Sequence, residues 1–233
     1  MDGAKIAKKT AADAACKKVT DGMNVGLGTG STAEWAIKRL GRMMQSGIKL
    51  TCVPSSIATQ KLAEDCGLTV IPFEEFVKAP FALDVCIDGA DRIDPYFRLT
   101  KGGGGAHTRE KLVAKNAELF CCVGDPSKLC DSLIGAFPLP VEVQMDALED
   151  TILALSEYGE PSQRIKGEAA LITDNSNYIV DLKLSEGDPS ALEDEINSIP
   201  GVVDNGFFTK RRPELVFIGK SDGSCDILDS PEK

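Results

Sequence analysis

Met23-Asn-Val-Gly-Leu-Gly-Thr-Gly-Ser-Thr32 is the stretch on which the fold turns. Met23–Leu27 reads as a short strand, and the small and apolar positions from Thr32 to Met44 read as a helix. Gly28, Thr29, Gly30 and Ser31 lie between them. Glycines let backbone come close to a bound group, Ser31 and Thr32 add hydroxyls, and the helix N-terminus adds a positive field. The segment is a candidate phosphate cradle. No Gly-Lys-Ser/Thr follows, so it is not a Walker loop, and the third glycine of a dinucleotide fingerprint is missing. The ordinary alternative is a tight turn from strand to helix.

Working outward, the same alternation continues. Ala4–Val19 has helical spacing, and Lys49–Val53 reads as a strand. Ser56–Cys66 reads as a helix with Ser56 available as N-cap. Leu68–Ile71 and Leu83–Ile87 read as buried strands, Thr108–Ala117 as a helix and Leu119–Val123 as a strand. Repeated strand–helix alternation implies a parallel sheet covered on both faces. After Phe137 the pattern changes. Leu139–Val143 is a strand, Asp146–Tyr158 a helix, Gln163–Ile172 and Tyr178–Leu184 two strands, Pro189–Ile199 a helix and Val202–Phe208 a strand. That order, βαββαβ, is the ferredoxin-like pattern. Glu214–Gly219 and Cys225–Leu228 form a hairpin expected to return to the first domain. The expected organisation is an open parallel-sheet, Rossmann-like α/β catalytic domain over 1–136 and 209–233, with a smaller ferredoxin-like α+β domain over 137–208.

The 233 residues carry a net charge of −10, which argues against nucleic acid as a partner. A phosphate pocket in such a chain must draw its positive field from a few lysines and backbone N–H groups. No apolar run approaches a membrane span and the N-terminus has no apolar signal core, so a cytoplasmic protein is expected. Eight cysteines sit largely in apolar runs without a Cys-x-x-Cys pair, and there is a single histidine. Reduced, buried thiols and no metal site are expected.

Asp88-Gly-Ala-Asp91 ends the apolar strand Leu83–Ile87, at the sheet edge where open α/β folds place ligands. Lys101 precedes Gly102-Gly-Gly-Gly105, and Glu110 falls in the first turn of the next helix. Consecutive glycines weaken regular structure, yet they expose N–H groups suited to an anionic oxygen. Carboxylates, a lysine and bare amides together suit proton transfer beside a carbonyl. The helix dipole favours an acidic first turn anyway, so Glu110 alone reads as structural. His107 sits among small residues with no evident orienting partner and ranks below Glu110 as a base. Lys128 follows a buried strand. Lys5, Lys8 and Lys9 read as a solvated helix face, with one of them in reach of a phosphate.

The ordered set Gly28–Thr32, Ser55-Ser56, Asp88–Asp91, Lys101–Gly104, Thr108–Lys111, Lys128 and Phe137-Pro-Leu-Pro-Val-Glu-Val143 closely resembles the type A ribose-5-phosphate isomerases. The resemblance implies a cofactor-free enzyme that interconverts ribose 5-phosphate and ribulose 5-phosphate, working as a homodimer or a dimer of dimers. It implies Glu110 as the base, with Asp88, Asp91 and Lys101 around the sugar oxygens. It places substrate and phosphate against Lys8, Thr29, Gly30, Ser31, Thr32, Gly89, Ala90, Gly102, Gly103, Gly104 and Lys128. Arg92 and His107 depart from the family pattern at positions next to matched residues. A phosphosugar deaminase-isomerase, a CoA transferase and a nucleotide- or sugar-phosphate-sensing module are the competing readings.

Overall fold

The computed structural model describes residues Asp2–Pro231. The chain forms two compact units: 1–90, 109–129 and 213–233 make the first, 91–108 and 130–212 the second. The second unit therefore takes in 91–108, 130–136 and 209–212 in addition to the 137–208 segment.

Among the described residues, the first unit holds a seven-stranded sheet. From one edge its strands are Cys225–Asp229, Leu215–Gly219, Ala117–Gly124, Leu83–Gly89, Asn24–Leu27, Thr51–Pro54 and Thr69–Val70. All neighbours run parallel except the Cys225–Asp229 edge, which pairs antiparallel with Leu215–Gly219. Counting the six parallel strands in chain order gives 3-2-1-4-5-6, the doubly wound arrangement. Its switch point lies between the first and fourth strands, Asn24–Leu27 and Leu83–Gly89.

These strands are apolar because both faces are covered. Val25, Leu27, Val85 and Ile87 are buried with Ala11, Ala12 and Ala15 of the Gly3–Ala15 helix and Ile37 and Leu40 of the Ala33–Gln45 helix. The latter helix buries Ala33, Ala36, Ile37, Leu40 and Gly41, the stripe expected of a 3.6-residue period. Ser56 caps the Ile57–Asp65 helix, its side chain accepting from the Thr59 N–H. The helix His107–Lys115 lies over the first strand: Val113 Cγ1 stands 2.6 Å from where a Cβ on Gly26 would be.

The second unit contains a four-stranded antiparallel sheet in the order Val202–Asn205, Leu139–Val143, Tyr178–Leu184, Gly159–Gln163. Helices Leu148–Leu155 and Pro189–Asn197 connect its strands, as the ferredoxin-like order requires. Leu139, Val141, Val143, Leu155, Val180, Leu182 and Ile196 form its core. A small sheet of Arg92–Ile93, Leu99–Thr100 and Phe207–Phe208 belongs to the same unit.

Three local expectations change. The second strand of the ferredoxin-like sheet is Gly159–Gln163, not Gln163–Ile172, whose residues instead form a short hairpin of Ile165–Lys166 and Ala169–Ala170. Gly159-Glu-Pro-Ser-Gln163 has no branched or aromatic residue to mark a strand, and its proline is tolerated because the strand is an edge. The Thr69–Val70 strand is also an edge and is not buried. Val202–Phe208 splits at Gly206, whose N–H donates to the Pro140 carbonyl, so that Phe207–Phe208 joins the small sheet.

Candidate active site

In the first unit the Gly28–Thr32 loop and Asp88 meet at the switch point. The Gly28 N–H donates to the Ile87 carbonyl at 2.9 Å, stitching the loop to the neighbouring strand. Asp88, 1% exposed, ends that strand. Its Oδ1 accepts the N–H of Thr29 at 3.1 Å and of Gly89 at 2.7 Å. Only a glycine fits at position 28, because a Cβ there would lie 2.0 Å from the same Oδ1. The Thr29 hydroxyl lies 2.9 Å from the hydroxyls of both Ser55 and Ser56 and 3.0 Å from that of Thr59. Thr59 in turn donates to the Gly28 carbonyl at 3.0 Å. A chain of hydroxyls thus fixes the loop on two sides.

Gly30 and Ser31 are exposed, and Thr32 is buried as the N-cap of the Ala33–Gln45 helix. Lys8 donates to the Ser31 hydroxyl at 2.8 Å. Of the three lysines on the first helix it is the one that reaches the loop; Lys9 pairs with Asp13. Lys128 is half-buried in the short helical turn after Ala117–Gly124, the strand beside Leu83–Gly89. Glu110 is 4% exposed, in the first turn of the His107–Lys115 helix. Arg109 beside it stacks on Phe73, 4.6 Å from the ring centroid, and pairs with Glu74 at 2.9 Å.

In the second unit, Asp91 and Lys101 flank a hairpin that has no strong signal in the sequence. Arg92 pairs with Thr100, and continuing that register sets Asp91 opposite Lys101. The Asp91 N–H donates to the Thr100 carbonyl and the Lys101 N–H to the Gly206 carbonyl, at 2.9 and 2.8 Å. Lys101 is buried, its Nζ 5.6 Å from the Phe208 ring centroid. Arg92 donates to the Asp91 carbonyl at 2.8 Å.

The glycine loop is a fixed turn. Gly102 has φ +102°, a conformation that excludes side chains. The Gly103 N–H donates to Asp91 Oδ2 at 2.7 Å, and the Gly105 N–H to the Gly102 carbonyl at 2.9 Å. The amides of Gly103 and Gly105 are thus committed within the unit. Gly104 is exposed, with no atom within 4 Å of a Cβ position.

His107 is oriented after all. Fully buried at the start of its helix, it stands with Nε2 3.2 Å from the Asp204 carbonyl. No local signal marks that partner, 97 residues away. Arg164 and Glu142 were missed for the same reason. Arg164 donates to the carbonyls of Gly102 and Gly103. Glu142, fully buried, accepts from Thr108, Thr173, Asn175 and Asn177.

Five of the eight cysteines are buried and three are half-buried, all as thiols outside any disulfide. Burial pushes the thiols of Cys16, Cys52 and Cys121 up to about 12, leaving them protonated at neutral pH. Among the described residues no helix is long and apolar enough to cross a membrane.

Residues 51–223 match the family model for ribose 5-phosphate isomerase A (phosphoriboisomerase A). The chain is 41% identical to ribose-5-phosphate isomerase A of Ruegeria sp. (strain TM1040), over 97% of this chain and 88% of that one. The solved structure of ribose 5-phosphate isomerase A from Methanocaldococcus jannaschii superposes with a TM-score of 0.88 at 39% identity, covering 95% of this chain and 97% of that one. A structure of D-ribose-5-phosphate isomerase in complex with phospho-erythronic acid gives 0.89 at 36% identity, with the same coverage.

Proposed function

The chain belongs to the ribose 5-phosphate isomerase A family, an aldose–ketose isomerase of ribose 5-phosphate and ribulose 5-phosphate, and we propose that Glu110 moves the proton between C1 and C2 of the sugar. The observation that carries this is a carboxylate buried in the first helical turn, on a helix lying over the strand that feeds the Gly28–Thr32 loop.

The reaction removes a proton from the carbon beside a carbonyl and returns it to the neighbouring carbon. The intermediate is an enediolate. Glu110 accepts the C2 proton of the open-chain aldose and delivers it to C1. The hydroxyl proton passes between O2 and O1, a transfer we assign to Asp88 or Asp91, which also serve ring opening. Charge building up on oxygen next to a carboxylate needs a counterpart. Lys101 supplies the cation and Gly102–Gly104 the close backbone. Gly89 and Ala90, between the two aspartates, line the sugar.

The phosphate is assigned to Thr29, Gly30, Ser31 and Thr32, with Lys8 and Lys128. The contact between Lys8 and the Ser31 hydroxyl supports this, because it holds an ammonium beside the exposed part of a helix-capping loop. Phospho-erythronic acid, the ligand of one structural neighbour, carries a phosphate and a carboxylate, the charges that an enediolate phosphate also presents. We assign the base and the phosphate loop to the α/β unit. We further propose a cytoplasmic, cofactor-free homodimer or dimer of dimers, on family membership.

The test is Glu110→Gln, an isostere without basicity. Turnover is expected to be abolished while titration still shows ribose 5-phosphate binding. Retention of most of kcat would remove Glu110 from the role.

A further inference from the structure

We propose that Arg164, braced by Asp181, is a positioning residue that sets the peptide planes of the glycine loop and turns the Gly104 N–H outward as the loop's open donor. The inference rests on the reading above, in which this loop faces the oxygen that gains charge.

Arg164 is held at every level. Its N–H donates to the Ile179 carbonyl at 2.8 Å, and its own carbonyl accepts the Leu171 N–H at 2.9 Å. Its guanidinium makes a two-point pair with Asp181, Nε to Oδ2 at 2.8 Å and Nη2 to Oδ1. The pair is largely sheltered, at 13% and 23% side-chain exposure. Such a fork is rigid, and the one remaining arm points at backbone. That arm, Nη1, donates to the Gly102 carbonyl at 2.7 Å and the Gly103 carbonyl at 3.1 Å.

Two carbonyls drawn to one cation fix what the next two amides do. No peptide bond among the described residues is cis. In a trans peptide the N–H of one residue points opposite to the carbonyl before it. The Gly103 N–H, opposite the Gly102 carbonyl, meets Asp91 Oδ2 at 2.7 Å. The Gly104 N–H, opposite the Gly103 carbonyl, points away from Arg164; Gly104 is exposed, with no atom within 4 Å of its Cβ position. A cation on the carbonyl side also polarises the peptide and strengthens the N–H as a donor. Arg164 therefore acts through backbone. It orients one amide onto a proposed catalytic aspartate and aims another outward.

The test compares Arg164→Met and Arg164→Lys with wild type by kcat, KM, melting temperature and affinity for phospho-erythronic acid. A positioning role predicts that Arg164→Met lowers kcat roughly 10- to 100-fold, leaves KM within about twofold, and weakens the acid's binding by a factor similar to the kcat loss. Arg164→Lys keeps the charge but not the fork, and should fall between the two. Added guanidinium at non-denaturing concentration should restore part of kcat to Arg164→Ala. The inference is overturned if Arg164→Met keeps kcat within twofold. It is also overturned if both variants lose activity only in step with loss of folded protein. Should Glu110→Gln keep turnover, the underlying reading fails instead. Should Glu110→Gln be dead and Arg164→Met fully active, only the present inference fails.

Discussion

Asp88 occupies the space that any side chain on Gly28 would need, with its Oδ1 2.0 Å from a Cβ built there. That same oxygen accepts the amides of Thr29 and Gly89. The carboxylate is thus aimed by the loop it helps to hold. Gly28→Ala must push Asp88 away or unseat the loop. A displacement of about 1 Å at such a group costs on the order of 100-fold in rate. We expect kcat/KM of Gly28→Ala to fall by about that factor, with the protein still folded. Steady-state kinetics alongside circular dichroism check it, and wild-type activity would show that Asp88 is not held by this loop.

Lys101 is buried, and its ammonium lies over the Phe208 ring. If it offsets charge that develops only during reaction, Lys101→Ala should lower kcat by about 100-fold while KM changes by less than about fivefold. A change confined to KM would assign Lys101 to ground-state binding.

Glu142 is fully buried and accepts from Thr108, Thr173, Asn175 and Asn177, all neutral donors. An amide in its place turns an N–H pair towards the Asn175 and Asn177 amide nitrogens, which cannot accept, and keeps one acceptor oxygen where the carboxylate has two. Glu142→Gln should lose about 2–3 kcal/mol of stability, the scale of hydrogen bonds to a charged group. Urea unfolding at unchanged m value measures it. A loss under about 0.5 kcal/mol contradicts the network.

Burial raises the pKa of Cys16, Cys52 and Cys121 from 9.0 to about 12. The unfolded chain releases these protons first, so their contribution to stability is complete below pH 9.0 and is lost as pH rises towards 12. Unfolding free energy should therefore fall with pH above about 9, and less steeply in Cys52→Ala. At neutral pH the same burial predicts slow alkylation of these three thiols by iodoacetamide without loss of activity. A flat alkaline profile would contradict the shifts.

Much of the first unit was legible because its signals are local. Apolar strands such as Leu83–Ile87, the Ser56 cap and the Gly28–Thr32 turn are each written within a few residues, and their alternation with helices implies a parallel sheet covered on both faces. The ferredoxin-like order was legible too, except at Gly159–Gln163, where an edge strand needs no apolar side chains. The hairpin joining Asp91 to Lys101 has strands of two residues each, too short to show a period. The side-chain partners of His107, Arg164 and Glu142 lie 17 to 97 residues away along the chain. Nothing local marks them; tertiary folding alone brings them together.

Solvent-deuterium exchange at C2 of ribose 5-phosphate, followed by proton NMR with wild type and Glu110→Gln, bears most directly on the central claim. The account predicts rapid incorporation with wild type and none above background with the variant, although the variant still binds the sugar phosphate. Exchange at near wild-type rate in Glu110→Gln would contradict it, since another group would then be taking the proton.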